Sequence, residues 1–265
     1  MNKIKLSTGT TLAYVEAGNG RPIVVLHGFC GSHSYWDEVL PLLAVHGRVI
    51  APDLRGHGES TAGEGVYAME KLAEDLAALM DELELPQIDL IGHSLGGYIA
   101  LAFAEKYPER LRTIGLAHST AYPDTEQAKE NRLKAASAIR QDGIVPFVDG
   151  LVPKLFTAEH RSNLSEQLGK AKAIGYGTSV DGAAGCALGM RDRRDRVDVL
   201  ERLEVPILLL AGELDEVIPP DKRFPVSKDN VTKITLEGVA HMGMMENPQA
   251  FAANVGEFLE RNRGI

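Results

Sequence analysis

Short apolar runs rich in valine, isoleucine and leucine recur along this chain, and they constrain its fold more than any other feature. Most of them are apolar at every position, which is typical of strands buried on both faces of a parallel sheet. Helical patterns separate the later runs, so the order of elements predicts an α/β fold. The predicted strands are TLAYVEA, PIVVLHG, RVIAPD, QIDLIGHS, RTIGLAH, VPILLLAGE and NVTKITLEG.

Two long segments carry the periodicity of amphipathic helices. In AMEKLAEDLAALMDEL, apolar residues recur at helical spacing from Met69 to Leu83. In NPQAFAANVGEFLERNR, Pro248 lies near the expected first turn. Together with the apolar strands, such helices predict a mostly parallel central sheet with helices on both of its faces.

The alternation of strands and helices lapses between about Ser119 and Val197. This region has helical patterns, TEQAKENRLKAASAIRQ and RSNLSEQLGKAKAIG, but no convincing buried strand. We therefore predict a core domain made of residues 1–119 and 195–265, with residues 120–194 inserted as a helical cap. The mixed-sign run RDRRDR at 191–196 is interpreted as a solvated hinge stretch.

A serine lies between glycines where one apolar run ends and the next pattern begins. The segment Gly92-His93-Ser94-Leu95-Gly96 follows a predicted strand and precedes a predicted helix. This is the G-x-S-x-G arrangement in which a sharp turn exposes a nucleophilic serine at a helix N-terminus. A glycine-rich turn with a capping serine is the structural alternative for this segment.

A serine nucleophile needs a base, and the base needs a group to orient it. Candidates for both follow Ser94 in the chain. Acidic residues come after the run ILLLAG, where Asp215 has Glu213 and Glu216 as rivals. His241 lies in a loop before the last predicted helix.

Taken together, these segments resemble the α/β-hydrolase family over nearly the whole chain. The resemblance is carried by HGFCGS, DLRGHGES, GHSLGG and GELDEVIPP followed by AHMGMMENP. It implies that Ser94 is the nucleophile, His241 the general base and then acid, and Asp215 the orienting carboxylate. Asp215 is preferred over its rivals because it matches the family's G-x-x-D pattern with Gly212.

The resemblance also implies an oxyanion hole made of two backbone N–H groups. One belongs to Leu95, which follows the nucleophile, and the other to Phe29 in the loop His27-Gly28-Phe29. We interpret His27 as a structural hydrogen-bonding residue and Cys30 as a small buried hydrophobe. In the loop at residues 53–60, Asp53 and Arg55 are interpreted as structural.

The substrate pocket is expected to be apolar. No arginine cluster in the cap resembles a dedicated carboxylate or phosphate clamp, so we expect a small to medium, mostly uncharged carboxylic ester. The predicted substrate-binding residues are Phe29, Phe147, Leu151, Phe156, Met190 and Met242.

Other functions with the same serine stay open. Lactone opening, perhydrolysis, carbon–carbon bond hydrolysis and lyase chemistry are alternatives, as is a ligand-binding protein on a hydrolase scaffold. The sequence does not distinguish these reactions, and it does not specify the oligomeric state.

Composition narrows the possible partners. A net charge of −9 and the lack of basic runs argue against nucleic acid. No apolar run is long enough to cross a bilayer and no N-terminal signal pattern is visible, so we expect no membrane association and a cytoplasmic location. Two distant cysteines and no HExxH or CxxC spacing argue against a disulfide framework or a metal site, and no cofactor is expected.

Overall fold

A computed structural model describes residues 1–264 and contains a central eight-stranded sheet. Its strands are β1 (Asn2–Lys5), β2 (Thr11–Ala17), β3 (Pro22–Leu26), β4 (Arg48–Pro52), β5 (Ile88–His93), β6 (Leu111–Ala117), β7 (Ile207–Gly212) and β8 (Val231–Leu236). Their spatial order is β1-β2-β4-β3-β5-β6-β7-β8. Strand β2 pairs antiparallel with both β1 and β4, and the remaining neighbours are parallel. The predicted α/β class with a mostly parallel sheet is confirmed.

The helices connect consecutive strands and follow the last one. They are α1 (Leu40–Leu43), α2 (Met69–Glu82), α3 (Leu95–Lys106), α4 (Glu126–Asp142), α5 (Ile144–Leu151), α6 (His160–Asn163), α7 (Ser165–Tyr176), α8 (Val180–Arg191), α9 (Val197–Arg202), α10 (Gly243–Glu246) and α11 (Pro248–Arg261). Helices α4 to α9 all lie between β6 and β7, where the alternation lapses in the sequence.

Both faces of the sheet are buried, as the uniformly apolar runs predict. In β3, the side chains of Ile23 and Val25 belong to one apolar cluster, and those of Val24 and Leu26 belong to another. Helices α2 and α3 cover the second face, and α11 covers the first. Alternate residues of a strand point to opposite faces of the sheet, so a strand that contributes side chains to both apolar clusters must be apolar throughout.

Strand β1 was not predicted from the sequence. Its residues, Asn-Lys-Ile-Lys, are exposed except for a partly buried Ile4. It pairs only with β2, at the edge of the sheet. Short strands with lysines are typical of sheet edges, where one side of the backbone remains unpaired. Such a strand has no apolar pattern that sequence analysis could detect.

The interpretation of residues 191–196 as a solvated stretch was wrong for two of its arginines. Arg196 is 2% exposed, and its guanidinium pairs with Glu105 at 3.0 Å and also with Glu70. Arg193 is 8% exposed and pairs with Asp124 at 2.7 Å. Arg193 and Arg196 therefore anchor the end of this helical region through ion pairs whose guanidinium groups are buried. Pairing with distant carboxylates is what allows an arginine to be buried.

Candidate active site

A strained serine connects β5 to α3. Ser94 follows the last residue of β5 and has a φ of 50° and a ψ of −112°. A non-glycine residue with positive φ costs roughly 1 to 3 kcal/mol and persists where its surroundings enforce it. The turn is enforced by glycines on both sides: a Cβ at Gly92 would lie 2.5 Å from the nitrogen of Gly97, and one at Gly96 would lie 2.8 Å from the Cβ of Leu26.

Hydrogen bonds from the next strand hold this turn in place. The N–H of Ser94 donates to the carbonyl of Ala117 at 3.0 Å. The hydroxyl of Ser119 donates to the carbonyl of Ser94 at 2.8 Å. Sequence analysis missed Ser119, although its place directly after β6 put it at the same edge of the sheet as Ser94.

His241 and Asp215 form the hydrogen bond expected of a base and its orienting acid. The Nδ1–H of His241 donates to Oδ2 of Asp215 at 2.8 Å, and both side chains are buried. The other oxygen of Asp215 accepts from the N–H groups of Val217 at 2.8 Å and Ile218 at 3.1 Å. The rivals Glu213 and Glu216 are exposed.

The charge of Asp215 is stabilised by its neighbours. Burial would raise the pKa of this carboxyl, but the imidazoles of His241 and His118 outweigh burial, and the pKa lies well below its ordinary value. Asp215 therefore stays ionised at neutral pH. An ionised Asp215 keeps the proton of His241 on Nδ1, which leaves Nε2 as the basic nitrogen.

Backbone contacts position the His241 loop against the nucleophile strand. The N–H of His241 donates to the carbonyl of Leu155 at 3.0 Å. The Nε2–H of His93 donates to the carbonyl of His241 at 2.9 Å. Burial lowers the pKa of His93 well below its ordinary value, so its ring is neutral. His93 therefore links the end of β5 to the base, a role that its place beside Ser94 did not reveal.

A buried carboxylate holds the same loop from the other side. Oε1 of Glu246 accepts from the N–H groups of Ala240 at 3.0 Å and Met242 at 3.1 Å, the two residues that flank His241. Oε2 accepts from the N–H of Thr157 at 3.2 Å. Glu246 thus connects the base loop to the inserted region. Sequence analysis missed it, because nothing in the pattern MENP indicates burial.

Ser94 and His241 line one cavity of about 60 Å³. The other residues that line it are Phe29, Tyr35, His93, Tyr98, Arg132, Leu151, Leu155, Met190 and Val217. Among residues 1–264, no hydrogen bond joins the hydroxyl of Ser94 to the imidazole of His241. A catalytic hydroxyl commonly reaches hydrogen-bond length to its base only when substrate is bound.

Two backbone N–H groups near Ser94 are without protein acceptors. Leu95 is the first residue of α3, where a helix has no internal acceptor for its N–H. Phe29 lies in the loop after β3. Within the part of the chain that the structure describes, neither N–H donates a hydrogen bond to a protein group. Both are free to bind an oxyanion.

The residues predicted to bind substrate divide into two groups. Phe29, Leu151 and Met190 line the cavity with Ser94. The others lie elsewhere: the Phe147 ring packs edge-on against Phe29 at 5.7 Å, Phe156 lines a separate surface cleft, and Met242 is fully buried in the core. Residues 120–194 therefore supply part of the cavity wall through Leu151 and Met190, whereas Phe147 and Phe156 from the same segment pack elsewhere.

Arg132 is a cavity residue that sequence analysis missed. It lies on α4, where only Ala136 and Ile139 are buried. The sequence of a polar helix does not show which of its charged residues faces a cavity. The orientation of the helix depends on its packing against another element, which for α4 is α8.

The remaining motif residues have structural contacts. The Nδ1–H of His27 donates to the carbonyl of Gly28 at 2.8 Å, and its Nε2 accepts from the N–H of Leu54 at 2.9 Å. Arg55 pairs with Asp75 through two nitrogens, at 2.6 and 2.8 Å. Cys30 is fully buried, and burial raises the pKa of its thiol far above the ordinary value.

Residues 1–264 contain neither a candidate metal-binding cluster nor a candidate membrane-spanning helix. No group of three or more His, Cys, Asp or Glu residues in this range is arranged to hold a metal ion. No helix within the same residues has the length and apolar character needed to cross a membrane.

Comparison with known proteins identifies the family. The family model described as alpha/beta hydrolase fold matches residues 21–248. The chain belongs to the α/β-hydrolase fold family. The segments from which the sequence resemblance was drawn lie within this match, and the resemblance is confirmed.

Individual members of the α/β-hydrolase fold family differ in their reactions. A thermophilic esterase from Thermogutta terrifontis, solved with malate bound, has a TM-score of 0.94 and 33% identity, covering 99% of each chain. A 3-oxoadipate enol-lactonase 2 from Acinetobacter baylyi is 30% identical over 94% of this chain and 93% of its own. A putative 2-succinyl-6-hydroxy-2,4-cyclohexadiene-1-carboxylate synthase from Bacillus subtilis is 31% identical over 97% of both.

Proposed function

We propose that this α/β-hydrolase is a carboxylesterase that cleaves small to medium carboxylic esters through an acyl-enzyme on Ser94. The observation that carries the proposal is the shared cavity: Ser94 and His241 line it together, and His241 Nδ1 lies 2.8 Å from Asp215 Oδ2. A hydroxyl in the same cavity as an imidazole that is hydrogen-bonded to a carboxylate supplies the components of nucleophilic acyl transfer. Similarity to an esterase over the whole chain supports the same reaction.

In the proposed mechanism, Oγ of Ser94 attacks the acyl carbonyl while Nε2 of His241 accepts its proton. The oxyanion binds to the N–H groups of Phe29 and Leu95, and loss of one such donor would cost about 3 kcal/mol of barrier height. His241 then gives its proton to the leaving alcohol. Water, deprotonated by the same imidazole, hydrolyses the acyl-enzyme and releases the acid. Asp215 holds the ring and stabilises its charged form.

We further propose that residues 120–194 act as a cap that limits substrate size. Leu151, Leu155 and Met190 from this segment line the cavity above Ser94. A cavity of about 60 Å³ is small beside the roughly 300 to 1,000 Å³ of common ligand pockets. We therefore expect short acyl groups to react fastest, with activity decreasing as the acyl chain lengthens.

Opening of a lactone is the second candidate. A lactone is an internal ester, so the same serine, base and oxyanion donors suffice, and the alcohol stays attached to the acyl group. The observation that favours it is 30% identity to an enol-lactonase over almost the full length of both chains. Comparing the rates at which the protein hydrolyses lactones and open-chain esters distinguishes the two candidate functions.

The test combines active-site labelling with turnover. The protein is incubated with a fluorophosphonate probe and, separately, with p-nitrophenyl esters of increasing acyl length and with simple lactones. We expect one equivalent of label and hydrolysis of the short esters, both lost in Ser94→Ala. Ser137→Ala, which changes an exposed serine on α4, is the matched control and keeps both. Labelling without turnover of any ester or lactone would favour lyase chemistry or ligand binding instead.

A further inference from the structure

Arg132 brings a positive charge into the cavity that contains Ser94 and His241. Its side chain is 27% exposed and lines the cavity together with apolar and aromatic side chains. No carboxylate lines this cavity among the residues that the structure describes. A guanidinium is always charged at neutral pH, so the cavity is positive in character.

The donors of Arg132 are mostly unused by the protein. Its Nε–H donates to Oδ2 of Asp124 at 3.1 Å. Neither terminal nitrogen donates a hydrogen bond to any group within residues 1–264. These terminal N–H groups form a planar fork, whose geometry matches the two oxygens of a carboxylate.

Asp124 does not neutralise Arg132, because it is shared with a second arginine. Its Oδ1 pairs with Nη1 of Arg193 at 2.7 Å. Arg193 is fixed by further hydrogen bonds to the carbonyls of Tyr122 and Met190, and its guanidinium packs on the ring of Tyr98 at 4.1 Å. Two guanidinium groups therefore share one carboxylate, and the uncompensated positive charge lies on the cavity side, at Arg132.

We propose that Arg132 binds a carboxylate of the substrate, so that the preferred esters are half esters of short dicarboxylic acids. This inference rests on the proposed function and specifies its substrate class. Water adds across the ester bond of such a half ester, the alcohol leaves, and a dicarboxylate is released. The sequence pattern suggested an uncharged ester because it shows Arg132 as one charge among many on a polar helix.

The kinetic test compares two series of methyl esters of equal length. One series is the monomethyl esters of malonic, succinic, glutaric and adipic acids, and the other has a methyl group in place of the free carboxylate. We expect the best half ester to exceed its neutral counterpart in kcat/KM by at least about tenfold. In Arg132→Gln the ratio of kcat/KM for the half ester to kcat/KM for its neutral counterpart falls close to one, mainly because KM for the half ester rises. Arg132→Lys recovers part of the ratio, because a lysine keeps the positive charge but lacks the planar pair of N–H donors.

A binding test separates failure of this inference from failure of the proposed function. Monomethyl glutarate and monomethyl succinate are titrated into Ser94→Ala by calorimetry, with and without Arg132→Gln. We expect binding that the second substitution weakens by at least about tenfold. Arg140→Gln, which removes an exposed charge from the same helix, is the matched control and leaves both the binding and the ratio unchanged.

Three results would overturn the inference. The wild-type protein could hydrolyse neutral esters without preferring half esters, it could keep its preference in Arg132→Gln, or Ser94→Ala could bind half esters equally well with and without Arg132. The first two results would contradict the carboxylate subsite but not the proposed esterase function. If the protein is not labelled and hydrolyses no ester, the proposed esterase function is contradicted. The calorimetry then still shows whether Arg132 binds a carboxylate.

Discussion

His118 lies beside Asp215, at the carboxylate oxygen that His241 also contacts. Its Nδ1 lies 3.6 Å from the same Oδ2 that His241 contacts at 2.8 Å. This separation exceeds a hydrogen bond, so an N–H at this position acts on the carboxylate through its dipole. Burial lowers the pKa of His118, and its ring stacks on Phe251. Asp215 thus has two imidazole neighbours, the proposed base His241 and a second, neutral ring.

Replacing His118 with phenylalanine should move the pH profile. The ring keeps its stacking on Phe251, but Asp215 loses a nearby dipole and acts more strongly on His241. The half-maximal pH of the acid limb of kcat/KM therefore rises. We expect kcat to fall by no more than about fivefold, which is the scale of one weak polar contact.

The pH profile of His118→Phe is measured beside that of His46→Phe. His46 pairs with Glu260 near the surface, away from the cavity, so its replacement leaves the profile unchanged. Superimposable acid limbs in His118→Phe and the wild-type protein would mean that His118 serves packing alone.

Glu246→Gln should loosen the loop that carries His241. The amide oxygen can still accept from the N–H groups of Ala240 and Met242. Its NH₂ group then faces the N–H of Thr157, which loses its acceptor, and the charged contact with Nδ1 of His160 is lost as well. Each buried donor left unpaired costs about 1 to 3 kcal/mol. We expect the free energy of unfolding to decrease by roughly 2 to 4 kcal/mol. We also expect kcat to fall by a larger factor than KM rises, because the proposed base is displaced while the cavity walls stay in place.

Urea unfolding and steady-state kinetics measure these two effects. Glu257→Gln is the control, since it changes an exposed glutamate on α11 and should leave both quantities unaltered. Wild-type stability and kcat in Glu246→Gln would show that the loop holds its position without this carboxylate.

The fold and the hydrogen-bonded pair of His241 and Asp215 could be predicted because their signals are local. An apolar strand, two glycines and a serine are contiguous around Ser94, and the family pattern marks Asp215 and His241 in the same way. Both faces of the sheet are covered, so its strands are apolar throughout and easily recognised.

The residues that were missed depend on contacts between distant segments. Glu246 reaches Thr157 across the chain, and Arg193 is buried only because Asp124 lies beside it. The orientation of Arg132 follows from the packing of α4 on α8. Charged side chains are normally exposed, and a sequence does not show which carboxylate will pair with a given arginine.

Two buried histidines should make the protein less stable in mild acid. Burial lowers the pKa of His27 to about 4 and that of His57 to about 3. An ordinary histidine in the unfolded chain has a pKa near 6.5, so between about pH 6.5 and 4 the unfolded state binds more protons than the folded state. The free energy of unfolding therefore falls as the pH decreases through this window.

Each of these histidines should contribute a loss of about 2 kcal/mol between pH 7 and pH 5. Asp215 does not contribute to the loss of stability between pH 7 and pH 5, because a carboxyl with a lowered pKa keeps its stabilising effect until the pH falls below about 4. Urea unfolding followed by the fluorescence of Trp36, the one tryptophan, measures the change. Burial also lowers the pKa values of His93 and His118, which add to the loss, and His57→Gln should remove about 2 kcal/mol of it. A free energy of unfolding that is equal at pH 7 and pH 5 would contradict the prediction.

The ion pair between Arg55 and Asp75 should be far more important for stability than the surface pairs. Both side chains are less than 10% exposed, and Asp75 also accepts from Thr8 at 2.6 Å. Asp75→Asn leaves the guanidinium buried without a counter-charge, which costs about 3 to 5 kcal/mol. Asp198→Asn removes the exposed pair of Asp198 with Arg202, and such a pair is worth at most about 1 kcal/mol. Urea denaturation of both variants tests the difference, and equal losses would mean that burial of Arg55 does not determine the cost.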